Sequence, residues 1–174
     1  MNAAHIHLAL THFPIIGTII GAGILIYGFF RANTSVKKVA LSIFILMAIA
    51  TLPVFLSGEN AEEIIEDLPG ISESLIENHE ELAEKAIWLM GILGLLSLIN
   101  LFALAKKASY TKTISWIVLI LSLTTAGMFA KVGNLGGQIR HSEIRDNNAK
   151  TGQDENIYKG TSKEEQESEH DDDD

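Results

Sequence analysis

Six histidines stand at positions 5, 7, 12, 79, 141 and 170. Imidazole is the side chain that titrates nearest neutral pH and the commonest protein ligand for iron, copper and zinc. Apart from His170, the histidines map to the same end of three apolar stretches. His12 and His79 fall in the opening turns of two of these stretches, which a four-helix bundle places on facing helices. Neighbouring axes about 8 to 10 Å apart give a diagonal of roughly 12 to 14 Å. Two imidazoles and one iron bridge such a gap, so the spacing predicts b-type haem with His12 and His79 as axial ligands. Lys131, Asn134, Gln138 and Arg140 follow on the fourth stretch as donors for propionates or another anion.

The same residue types admit other chemistry. Three or more of His5, His7, His12, His79 and His141 could converge on copper, zinc or iron, with Glu80 or Glu59 adding an oxygen ligand. His5 and His7 diverge by about 200° on a helix and cannot share one metal, whereas His5, one heptad before His12, lies on nearly its face. Pro14 predicts a kink near Leu10 and Thr11 or a fresh helix start, because it lacks the amide that would bond Leu10. Met128 is an axial ligand in principle, but in an apolar helix methionine ordinarily fills the core.

The elements that carry these residues read plainly. Apolar runs cover about 6–30, 39–56, 86–105 and 114–130, each near the roughly 20 residues a helix needs to cross a hydrocarbon core. In hydrocarbon every peptide group must be bonded within its own segment, so the runs must be helices. The expected fold is all-α: an up-down-up-down bundle of four transmembrane helices over residues 1–145. The first run is not read as a signal peptide, since no Lys or Arg precedes it. Ala61, Ile64, Ile65 and Leu68 recur at helical spacing among acids, predicting a short amphipathic helix on the membrane surface. Pro69-Gly70 predicts a turn, and Ser72 a cap for a helix whose stripe Leu75, His79, Leu82 and Ala86 turns His79 toward the bundle. Residues 146–174, rich in Asp, Glu, Asn and Ser, predict a disordered acidic tail.

Glycines sit at positions 17, 21, 91, 94, 133, 136 and 137 on three of the four runs. They either let helices approach closely or leave room for a flat macrocycle against backbone.

Charge is sorted along the chain. All 22 acids fall at 59–84 (ten) or from Glu143 onward (twelve). The other two connections carry only Arg31, Lys37, Lys38 and Lys106, Lys107, Lys112. Short basic loops stay cytoplasmic. The expected location is therefore a bacterial inner membrane, with both termini and the 59–84 segment on the periplasmic side.

Of the 174 residues 47% are hydrophobic, with mean hydropathy +0.22 and net charge −9. That balance argues against nucleic acid as a partner, because phosphate binding needs a basic surface. The chain has no cysteine. Disulfides, thiolate metal sites, iron–sulfur clusters and covalently attached haem are thereby excluded. No Ser-His-Asp pattern, His-Glu-x-x-His motif or phosphate loop points to an enzyme; position 83, where a second zinc-binding histidine would stand after His79, is Ala.

The string His5-Ile-His-Leu-Ala-Leu-Thr-His12-Phe-Pro14-Ile-Ile-Gly17, with Gly58-Glu59 after the second run and His79-Glu80 before the third, resembles a bacterial family of four-helix integral membrane proteins of unknown function. The resemblance covers roughly residues 1–145. It implies a redox setting, because related domains occur joined to Rieske or cytochrome c modules, neither of which this cysteine-free chain contains.

Three functions follow as expectations. One is a small membrane haem protein passing electrons between quinol and an extracytoplasmic redox partner. Another is a copper, zinc or iron site on the outer face. The third is a cofactor-free accessory or scaffold protein whose acidic face recruits a basic partner. A homo-oligomer or a place in a larger complex fits each of them.

Overall fold

The structure is a computed structural model that describes residues 2–66 and 68–141. Among these residues all regular structure is helical: α1 (Ala3–Phe30), α2 (Thr34–Ile65), α3 (Glu73–Ala105) and α4 (Thr111–Arg140). The chain divides into two units, Met1–Arg140 and His141–Asp174, and the helices make up the first. The acidic tail expected at 146–174 lies outside the described residues.

Local chemistry sets the helix ends. Asn2 Oδ1 accepts from the His5 amide at 3.0 Å, and Asn33 Oδ1 from Ser35 and Val36 at 2.9 and 3.2 Å. Each satisfies amides that an α-helix leaves unpaired in its first turn. Ser72 occupies the cap position of α3, but its hydroxyl bonds the Ser74 hydroxyl and not the backbone. The turn expected at Pro69-Gly70 forms: Gly70 takes φ +81°, and the Ile71 amide donates to the Leu68 carbonyl. Both basic loops use one closing device. Asn33 donates back to Gly28 and Ala108 to Ala103, each across a residue in left-handed conformation, Ala32 (φ +48°) and Lys107 (φ +53°).

Neither a fresh helix at Pro14 nor a separate helix after the second apolar run is found. α1 runs through Pro14, which is wholly buried, so no fresh helix begins there. α2 runs through Pro53 and continues past its apolar run, through Gly58, to Ile65, so the amphipathic stretch is the end of a long helix and not a separate surface helix. Its inward positions explain the continuation. Ala61 is buried, and Ile65 packs with Leu75, Ile76, Ile139 and Ile71 in a small second core.

The helices form a ring in which α1 touches α2 and α4, α3 touches α2 and α4, and the diagonal pairs share no backbone contact. Particular residues meet across the α1–α2 and α3–α4 contacts. Gly28, Gly21 and Gly17 face Lys37, Phe44 and Met47, while Asn100 and His79 face Ser115 and Val132. Leu25, Leu41, Phe44, Met90, Leu93 and Val118 fill the main core. The outer surface is apolar, with Leu8, Phe13, Leu46, Leu56, Phe102 and Ile120 all more than half exposed. Water would penalise that surface and lipid does not. All four helices are long and apolar enough to cross a membrane.

Candidate functional site

Helix phase decides which histidines meet. On α1 the buried positions include Pro14, Gly21 and Gly28, and His7 sits one heptad earlier in the same file. On α3 the file Ala86, Leu93 and Asn100 is buried, and His79 again stands one heptad earlier. Both rings are half-buried, on helices that stand diagonally opposite in the ring of four.

Each ring is held by a helix other than its own. His7 Nδ1 is 3.1 Å from the Val54 carbonyl and 3.0 Å from Ser57 Oγ on α2. His79 Nδ1 is 3.1 Å from the Val132 carbonyl on α4. A carbonyl only accepts, so Nδ1 carries the proton and donates in both cases. The Nε2 lone pair of a neutral ring is then left for a ligand. This is how metal-binding histidines are ordinarily oriented, with the distal N–H anchored to backbone or carboxylate. Glycines stand beside both rings. A Cβ on Gly58 would lie 3.5 Å from His7 Cε1, and one on Gly136 would lie 3.2 Å from His79 Cε1.

The pairing differs from the one expected from sequence. His79 faces the bundle as its stripe requires, but its counterpart across the diagonal is His7. His12 is exposed, and its Nδ1 donates at 2.7 Å to Leu8 of its own helix. His5 is exposed on the same outward side, as its seven-residue spacing from His12 demands. His141 is exposed and belongs to the second unit. Lys131 and Arg140 are exposed, while Gln138 Nε2 donates to Asn134 Oδ1 at 2.6 Å. Glu59 is exposed, and Glu80 bonds the side chain of Glu62 across α2 and α3. Met128 packs against the main core. Among the described residues no group of three or more His, Asp or Glu side chains comes together as a metal site.

The glycines divide by position. A Cβ on Gly21 would strike the Phe44 ring at 2.6 Å, one on Gly94 the Ala48 Cβ at 2.5 Å, and one on Gly17 the side chain of Met47. Those three are close-approach positions filled by α2 side chains. Gly136, and more loosely Gly58, border the histidines.

Compared with known protein families, curated proteins and solved structures, the chain matches none.

Proposed function

We propose that this chain is a small up-down-up-down membrane electron carrier in which His7 and His79 would hold b-type haem at its acid-rich end. The observation that carries the reading is the pair of anchored imidazoles, each donating Nδ1–H to a carbonyl of a neighbouring helix. The donor set suits haem in particular. Two imidazole donors would be enough to hold haem iron. A bare copper, zinc or iron ion generally takes three or more protein ligands. Haem, when bound, supplies one-electron transfer at iron.

The chain's residues do the rest. Val54, Ser57 and Val132 fix ring orientation and tautomer, and α1 and α3 carry the rings to opposite sides of the site. Quinol in the membrane and an acceptor on the periplasmic side are the partners this reading assigns. The basic loops at Arg31–Lys38 and Lys106–Lys112 assign the opposite end to the cytoplasm of a bacterial inner membrane. Both described helix ends nearest the termini then lie on the periplasmic side.

The test is the visible spectrum of detergent-purified protein, oxidised and then reduced with dithionite. A sharp reduced α-band should appear, vanish in His7→Ala and in His79→Ala, and persist in His12→Ala. Loss in His12→Ala with retention in His7→Ala would overturn the assignment.

A second reading, a cofactor-free accessory protein, is favoured by the close-approach glycines. Phe44, Met47 and Ala48 fill the spaces beside Gly21, Gly17 and Gly94, so the bundle's middle packs without a cofactor. A colourless protein free of bound metal would support it.

A further inference from the structure

Seven polar side chains are buried inside the bundle: Thr18, Thr51, Ser97, Asn100, Ser115, Ser122 and Thr125. Five of them behave as hydroxyls do in apolar helices, donating to a carbonyl one turn back: Pro14, Met47, Thr111, Leu119 and Leu121 accept. That local bond costs no partner from another helix.

Ser97 departs from this habit. Its hydroxyl has no hydrogen-bond partner among the described residues, although the Leu93 carbonyl stands one turn back on the same helix. Asn100, one turn further along α3, donates from Nδ2 to Ser115 Oγ on α4 at 2.9 Å, and Ser115 in turn donates to Thr111. Its Oδ1 likewise has no partner among the described residues. Both side chains are wholly buried. Residues three apart share a helix face, so the unpartnered acceptor and hydroxyl lie on one face of α3, one turn apart. Reversing the amide does not help. Ser115 already spends its proton on Thr111 and can accept only from the Asn100 amide nitrogen.

We propose that Ser97 and Asn100 form a binding site for one internal water molecule between α3 and its neighbours. The water donates one hydrogen to Asn100 Oδ1 and accepts from the Ser97 hydroxyl. A buried water ordinarily needs two to four polar partners, and these two side chains meet the minimum. Burying the two groups unpaired is the costly alternative, more so in a bundle surrounded by hydrocarbon. The water extends the Thr111–Ser115–Asn100 chain to Ser97, and the Asn100–Ser115 bond is the clasp that joins α3 to α4. Asn100 belongs to the same buried file as His79, so the clasp sets the rotation of α3 that turns the histidine inward. The site stands on its own observation and does not depend on haem.

Two measurements on the full chain in lipid nanodiscs decide the matter. In Ser97→Ala a water-bridged hydroxyl predicts a melting temperature lowered by a few degrees. An unpaired hydroxyl predicts the reverse, because alanine removes a buried group that had no partner. An unchanged or raised melting temperature would therefore overturn the proposal. Independently, cross-relaxation between water and the Asn100 side-chain amide, assigned by its loss in Asn100→Leu, should be present in the native chain and lost in Ser97→Ala. A dry amide in the native chain would also overturn it.

Discussion

The imidazole of His79 is steered by one carbonyl and one missing side chain. A Cβ at position 136 would stand 3.2 Å from Cε1 and 3.4 Å from Nδ1 of that ring, so the ring must yield by a few tenths of an ångström. At position 58 the added carbon would lie 3.5 Å from His7, an ordinary contact. Gly136→Ala should therefore lower the fraction of haem retained through purification or shift its reduction potential, whereas Gly58→Ala should leave both near native. Spectra and redox titration of the two variants check this, and equal behaviour would count against a tight seat for His79. A second prediction concerns Glu62, which lies beyond the apolar run of α2 and bonds Glu80 on α3. The hydrogen bond and the like charge of Glu80 hold its carboxyl above the usual range. A raised carboxyl contributes stability that is present in full below its ordinary pKa and fades as pH rises through the folded value. This join between α2 and α3 should thus strengthen in mild acid, and Glu62→Gln should flatten the dependence of melting temperature on pH.

At the scale of whole elements, the two basic loops hold a local conformation against its cost. Ala32 and Lys107 sit at positive φ, where a side chain costs about 1 kcal/mol or more relative to glycine. Part of the gain from glycine is offset by the freer unfolded chain. Ala32→Gly and Lys107→Gly should each raise stability by a few tenths to about 1 kcal/mol in reversible unfolding. If both lower it, the loops owe their shape to contacts of the native side chains. The helices run 28 to 33 residues. That is about 42 to 50 Å at 1.5 Å per residue, well beyond a core of about 30 Å. The excess collects at the acid-rich end, where Ile65, Leu75, Ile76 and Ile139 build a second core above the apolar runs. The histidines therefore sit between the main core and a packed cap.

For the molecule as a whole, absence of cysteine makes its orientation easy to test. Under the reading above, Lys38→Cys and Glu66→Cys, each introduced singly, should be labelled by an impermeant maleimide from opposite faces of sealed vesicles. Labelling from one face would overturn the four-span topology. Gly94→Val should force α2 and α3 apart, since Ala48 stands 2.5 Å from where a Cβ would go. Overpacking of this kind typically costs about 1 to 3 kcal/mol. The all-helical class and the four long apolar helices were legible without coordinates, because length and hydropathy act over whole segments and the bilayer admits few alternatives. The turn at Pro69-Gly70 and the inward face of His79 were legible as well, being matters of local backbone preference and helix period. The extent of α2 was not. Whether Ala61 and Ile65 end a long helix or begin a new one depends on Leu75, Ile76 and Ile139, which are distant in sequence. The histidine pairing was half legible: His7, Pro14, Gly21 and Gly28 form a heptad file, but proximity to the start of an apolar run favours His12 equally. Only the tertiary structure separates them, because it fixes the rotation of α1 by seating Gly17 on Met47 and Gly21 on Phe44. Sequence determined that imidazoles gather at one end of the bundle. Close packing between helices, which no single segment encodes, decided which of them face each other.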